Sequence, residues 1–274
     1  MQVLKRGFAF YVFGNIHVGL AAYSLTKITL LLFDMNNQNL ANFVFFSTVL
    51  SYNFIRFFQI EKINSMIAIW IRANKKSLIV LNGIALTGSV FCLFNFKLDE
   101  ILVLIPFLMA TLFYVFPFKN KFTGLRNIPG LKLLLIGITW TGLTAYLPLV
   151  SAHITDSQQM YFFVIQRFLF VLAITIPFDI RDAQFDLPEL NTLPQVMGVN
   201  KAKIIALVAL LLVIFSDLLM YQKDAKYFMI NLFIVILSMI MIAFSGTKRQ
   251  RYYTTFWIEA IPILWYLLYL VFVK

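Results

Sequence analysis

The chain is poor in the residues that build most soluble active sites. It has one cysteine, Cys92, in 274 residues. That excludes a disulfide within the chain and any cysteine-based zinc site. Its two histidines, His17 and His153, lie far apart and do not suggest a histidine metal cluster. Charge is scarce as well. Only 13% of residues are Asp, Glu, Lys or Arg, against about 25% in an average soluble domain. Acids are the rarer sign, 12 against 23 bases. No low-complexity linker and no second domain interrupt the pattern, so residues 1–274 read as one domain.

What the chain has in abundance is apolar sequence, 61% of its residues, spread along its whole length. That distribution predicts a polytopic, all-α membrane protein rather than a soluble one with a large core. A net charge of +11 would suggest nucleic acid in a soluble protein. In a membrane protein the same bases set topology and meet anionic headgroups, so the expected partner is membrane lipid and not nucleic acid. Lys5 and Arg6 precede an apolar run, as in a signal peptide. The run is long and further spans come after it, so it reads as an uncleaved first helix.

A span needs about 20 mostly apolar residues. Nine segments qualify: 8–33, 39–60, 77–96, 99–118, 128–150, 158–179, 202–221, 226–244 and 253–273. With the N-terminus in the cytoplasm, 17 of the 23 Lys and Arg fall inside, 4 outside and 2 within spans. The positive-inside rule therefore selects that orientation. Glu61 to Lys76, between the second and third spans, is too short to cross. It fits an interfacial helix with a basic end, serving as an anchor or as a lid over a cytoplasmic cavity.

The clearest chemical signal is Asp179-Ile-Arg-Asp182-Ala-Gln-Phe-Asp186. The spacing i, i+3, i+7 places three carboxylates on one face of a helix. The preceding Tyr161 to Phe178 is apolar enough for lipid, so the acids emerge at a membrane helix end. Such a cluster repels itself unless a cation fills it. The chain continues to Thr192-Leu193-Pro194 and Gly198. A second passage reads Tyr114-Val-Phe-Pro117-Phe-Lys119-Asn-Lys121-Phe-Thr123, then Arg126, Pro129 and Lys132. The acidic motif with its Thr-Leu-Pro tail resembles the second motif of the UbiA-type membrane prenyltransferases. The basic passage is similar to that family's loop between its fourth and fifth helices, and nine spans resemble the family fold over essentially the whole chain.

The resemblance implies nine helices around a central cavity, with two acidic motifs facing each other. Each motif would bind Mg2+, and the two ions would hold the diphosphate of an allylic isoprenoid. The first motif's place here reads Asn53-Phe54-Ile-Arg56-Phe57-Phe58-Gln-Ile-Glu61. Asn53 is retained and Glu61 can stand for the last acid. Phe54 and Phe57 replace the other two, and phenylalanine supplies no oxygen to magnesium. Arg56 could hold diphosphate where a second ion would sit. Alternatively, the fold is kept without the reaction.

The resemblance therefore implies a magnesium-dependent prenyltransferase acting on a prenyl diphosphate and an aromatic or other lipophilic acceptor. The alternative is a catalytically impaired relic that binds or transports lipid or isoprenoid. Asp179, Asp182, Asp186 and Glu61 would hold metal, and Asn53 and Arg56 would join the catalytic set. Lys119, Lys121, Arg126, Lys132 and Arg181 would face the diphosphate. Lys119, Lys121 and Arg126 also suit topology alone, and Arg181 suits an ion pair with Asp182. Lys132 begins a span and faces inward if it pairs with an acid or a phosphate. The expected location is the cell (inner) membrane, with the N-terminus and site cytoplasmic. Arg167, Asp217 and Glu259 lie in or near spans, where charge is costly and often functional. Asn15, His17 and Lys27 give the first span a polar stripe suited to interhelical hydrogen bonds.

Overall fold

A computed structural model describes residues 2–59, 66–115, 130–154, 157–186, 190–220, 225–250 and 252–273. Every regular element among them is helical: α1 Gln2–Phe13, α2 Ile16–Leu32, α3 Gln38–Gln59, α4 Met66–Ala73, α5 Lys75–Leu93, α6 Leu98–Val115, α7 Leu131–Thr141, α8 Leu147–Ser151, α9 Gln158–Asp182, α10 Leu193–Met197, α11 Val199–Met220, α12 Ala225–Ala243 and α13 Ile261–Phe272. Two π-helical segments, Gly142–Tyr146 and Tyr253–Ile258, join α7 to α8 and lead into α13.

Six of the described helices are long and apolar enough to cross a membrane: Lys75–Leu93, Leu131–Ser151, Gln158–Asp182, Val199–Leu219, Ala225–Ala243 and Tyr253–Phe272. A seventh arises if α1 and α2, bent by 56° at a short break, form one span. This is an all-helical membrane protein. Helices α3 and α6 occupy the places of the second and fourth expected spans but are not among those six. Polar Asn39, Asn42, Asn53 and Arg56 interrupt the apolar surface of α3.

Helix α9 is the axis of the bundle and packs between α7 and α11. Half of its spanning stretch is buried, against 22% for the peripheral α5. Its start is capped by Ser157, whose hydroxyl accepts from the Met160 N–H at 3.1 Å. Phe170, Val171, Ile176 and Ile180 of α9 meet Leu25 and Ile28 of α2, Leu210 and Val213 of α11, Ile234 of α12 and Trp265 of α13. Outside this core stand large apolar side chains such as Phe91, Phe94, Leu102, Phe215 and Phe272. In lipid these need no further cover, whereas in water so much exposed apolar surface would drive association.

Open apolar crevices occur among the described residues. One, of about 300 Å³, runs along Phe107, Ile138, Thr141, Gly142 and Phe168, and another lies by Ala225, Met229 and Phe272. Neither includes a residue of the acidic cluster.

Candidate functional site

The acidic end of α9 is where the bundle gathers charge. The helix closes at Asp182, but the N–H groups of Phe185 and Asp186 both donate to the Asp182 carbonyl at 2.8 Å. The turn therefore continues, and Asp186 comes back beneath the helix end. Gln195, in the turn of α10 just after Thr192, holds it there. Its side chain donates to the Asp186 carbonyl at 3.1 Å and accepts from the Thr192 N–H at 2.9 Å. The Thr-Leu-Pro stretch thus has a local task, which is to tie the acidic turn to a short capped helix.

Lys132 enters this turn from α7. Gly130, just before α7, adopts φ 73°, a conformation glycine takes at no steric cost. The Lys132 Nζ lies 2.7 Å from Asp179 and 3.2 Å from Asp186, and all three side chains are largely buried. Two carboxylates converge on one cationic atom. Asp182 is held differently. Arg181 grips it through Nε and Nη2 at 2.8 and 2.7 Å, donates through Nη1 to Thr254 at 2.6 Å, and lies over the Phe178 ring. The paired fork is the strong geometry for arginine and carboxylate.

Among the described residues, no three acids, histidines or cysteines converge as a ready metal-ligand set. Chemically, Asp179 and Asp186 suit a hard cation, since both already aim oxygen at one positive centre. Asp182 faces Arg181 and would have to turn to join them.

On α3, Asn53 is buried and accepts from the Asn15 amide at 2.7 Å, while donating to the Gly14 carbonyl at 3.1 Å. Arg56 donates to the Phe13 carbonyl at 2.8 Å. Both residues therefore stitch the break between α1 and α2, where Asn15 adopts φ 64°. Glu61, Lys119, Lys121 and Arg126 lie outside the described residues.

Glu259, which the sequence shows as an acid inside an apolar run, directly follows the second π-helical segment. His17 lies 2.7 Å from the Tyr11 hydroxyl and 2.9 Å from the Phe256 carbonyl, which matches the expected interhelical bonding of the first span. Tyr52, which accepts from the Trp140 indole at 3.1 Å, completes the wall between α3 and α7.

A second polar network is separate. Asp217 of α11 accepts from Gln166 and from Asn231, the latter at 2.8 Å, and Asn231 accepts from Trp265 and Tyr269. Arg167 donates to the Leu25 carbonyl at 2.9 Å and to Thr29, with the Phe163 and Trp265 rings near its guanidinium. These bonds join α2, α9, α11, α12 and α13 through groups that each find partners, as buried polar groups in lipid must.

Fold and charge together define a helical membrane protein with a buried ionic cluster at one end of its central helix. Beyond that class, no family model, curated protein or solved structure matches the chain.

Proposed function

We propose that the chain is an integral membrane prenyltransferase-like protein, with nine spans around a central cavity and an N-terminus and site on the cytoplasmic side of the cell (inner) membrane. It would transfer an isoprenyl group from a prenyl diphosphate to an aromatic or other lipophilic acceptor. One observation carries the reading: Asp179 and Asp186 converge on the cationic Lys132 at the end of a membrane helix. A charged site facing apolar helices suits a substrate with an anionic head and a hydrocarbon tail.

The charge balance supports a metal requirement. Three carboxylates, Asp179, Asp182 and Asp186, face two cations, Lys132 and Arg181. With all of them ionised the described cluster does not favour a trianionic diphosphate until positive charge is added. Magnesium held by Asp179 and Asp186, with Asp182 turned toward them, would supply that charge and stabilise the leaving group. Lys132 then pairs with diphosphate oxygens, and Arg181 and Arg56 add fixed positive charge. The allylic C–O bond breaks with its electron pair leaving on pyrophosphate. The acceptor's electron pair forms the new bond to carbon, and an aromatic acceptor then loses a ring proton. Tyr52 and Trp140, hydrogen-bonded to each other between α3 and α7, would offer aromatic faces to an allylic cation, and such faces stabilise cations by about 0.5–2 kcal/mol.

The relic reading also has an observation in its favour. Arg56 spends a donor on the Phe13 carbonyl, and Phe54 and Phe57 cannot bind metal. In that case the fold binds isoprenoid without reacting it. Pyrophosphate release, screened across geranyl, farnesyl and longer diphosphates with and without magnesium, decides between them. Release that needs magnesium and is lost in Asp182→Ala supports the enzyme. No release, with thermal stabilisation by the same lipids, supports the binding protein. Neither release nor stabilisation refutes both.

A further inference from the structure

Each acid of the α9 turn is already paired with a cation that the chain itself supplies. The Lys132 Nζ lies 2.7 Å from Asp179 and 3.2 Å from Asp186. Arg181 holds Asp182 through two bonds, at 2.8 and 2.7 Å. Lys132 is 14% exposed, Asp179 3% and Asp186 11%, so little water shares their charge.

The two pairs block different things. Arg181 also donates to Thr254, so it fixes the direction of Asp182. Lys132 serves two carboxylates at once, as a shared metal ion would. A divalent ion drawn to those same oxygens meets the ammonium there and is repelled by it, strongly so where water is scarce. Diphosphate alone fares no better, because three carboxylates outnumber two cations and leave the cluster negative. Together the two ligands relieve both conflicts. The carboxylates receive the ion, and diphosphate oxygens receive the ammonium. Lys132 suits this exchange, because it stands in the first turn of α7 and carries a compact charge on a flexible stem.

The geometry points to Lys132 as the gate of this site: its ammonium keeps a divalent ion off Asp179 and Asp186 until diphosphate draws it away, so ion and diphosphate bind as one ligand. This rests on the prenyl diphosphate reading and adds to it an order of events. The chain without diphosphate holds no divalent ion at these acids, and its own lysine neutralises them instead.

The test uses the full chain in nanodiscs, as wild type, Lys132→Met, Lys132→Gln and the Lys132→Met/Asp179→Asn double variant. Manganese is the probe, a hard cation that takes the oxygen ligands magnesium takes and whose bound form is read by electron spin resonance. Each protein is titrated with manganese, with and without farnesyl diphosphate, and is unfolded thermally under the same conditions. Wild type is stabilised by manganese and farnesyl diphosphate together and by neither alone. Both single variants bind manganese alone about tenfold more tightly than wild type does, within the range of ordinary coupling between sites. The double variant loses that gain. Wild type that takes manganese alone as tightly as the single variants overturns the gate, and so do single variants that take none. The wild-type measurements need no substitution, so stabilisation of wild type by manganese alone overturns the gate even where a variant does not fold. If the single variants gain manganese but farnesyl diphosphate brings no ion to wild type, the block by Lys132 stands and the prenyl diphosphate reading is what fails.

Discussion

Replacing Lys132 by methionine tests whether the carboxylates form a cation site. The change keeps the length of the side chain and removes its charge. Asp179, whose side chain is 3% exposed, and Asp186, at 11%, are left as neighbouring anions with no lysine between them. Removing one partner of a buried ion pair costs about 3–5 kcal/mol. The residual exposure of Lys132 and Asp186 places the loss toward the lower end. If the two acids suit magnesium, the ion should recover much of that loss. Saturation to about 100 times Kd returns about 2.7 kcal/mol. Cys92 makes the assay simple, because it is the only cysteine and is buried. A thiol-reactive dye therefore reports unfolding directly during a thermal ramp. Lys132→Met should unfold earlier than wild type and should be raised by magnesium more than wild type is. The double variant Lys132→Met/Asp179→Asn removes one of the two anions and should lose most of the magnesium response. A single variant as stable as wild type would refute the buried ion pair. An unstable one that magnesium leaves unmoved would refute the cation site.

Other contacts give further expected outcomes. Arg181→Lys loses the two-point grip on Asp182 and the bond to Thr254. Magnesium-dependent pyrophosphate release should then fall about tenfold, the worth of one charge-assisted hydrogen bond, and an unchanged rate would remove Arg181 from the site. Asp217→Ala leaves the Gln166 and Asn231 amides without their shared acceptor and should cost about 2–4 kcal/mol, read in the same thermal assay, with no change in diphosphate affinity. Gly142→Ala places a methyl where the Phe107 ring lies, so overpacking of about 1–3 kcal/mol is expected from its unfolding midpoint. Reporters fused after Asn120 or Gly246 should read cytoplasmic, and one after Gln222 external; the reverse pattern would overturn the nine-span orientation.

Hydropathy is a local property, and it placed several helices well. The expected segments 77–96, 158–179 and 226–244 correspond to Lys75–Leu93, Gln158–Asp182 and Ala225–Ala243. It did not anticipate the bend at Gly14–Asn15, because a break of two residues hardly changes an average over about 20. Nor did it show how α3 spends its polar residues, since Asn53 and Arg56 bond to backbone carbonyls of Gly14 and Phe13, far back along the chain. The i, i+3, i+7 spacing of Asp179, Asp182 and Asp186 was legible, but α9 closes at Asp182, so helical pitch alone does not place Asp186. What the three acids face was not legible. Lys132 reaches them from another helix well upstream, and Arg181 turns Asp182 aside through a pairing of adjacent residues. Glu259 was visible as an acid in an apolar run, but the π turn that precedes it was not. The sequence by itself determined the all-helical membrane class and several of the spanning helices. Only the tertiary structure decided which charges meet, because pairing is set by distances between helices that no window along the chain contains.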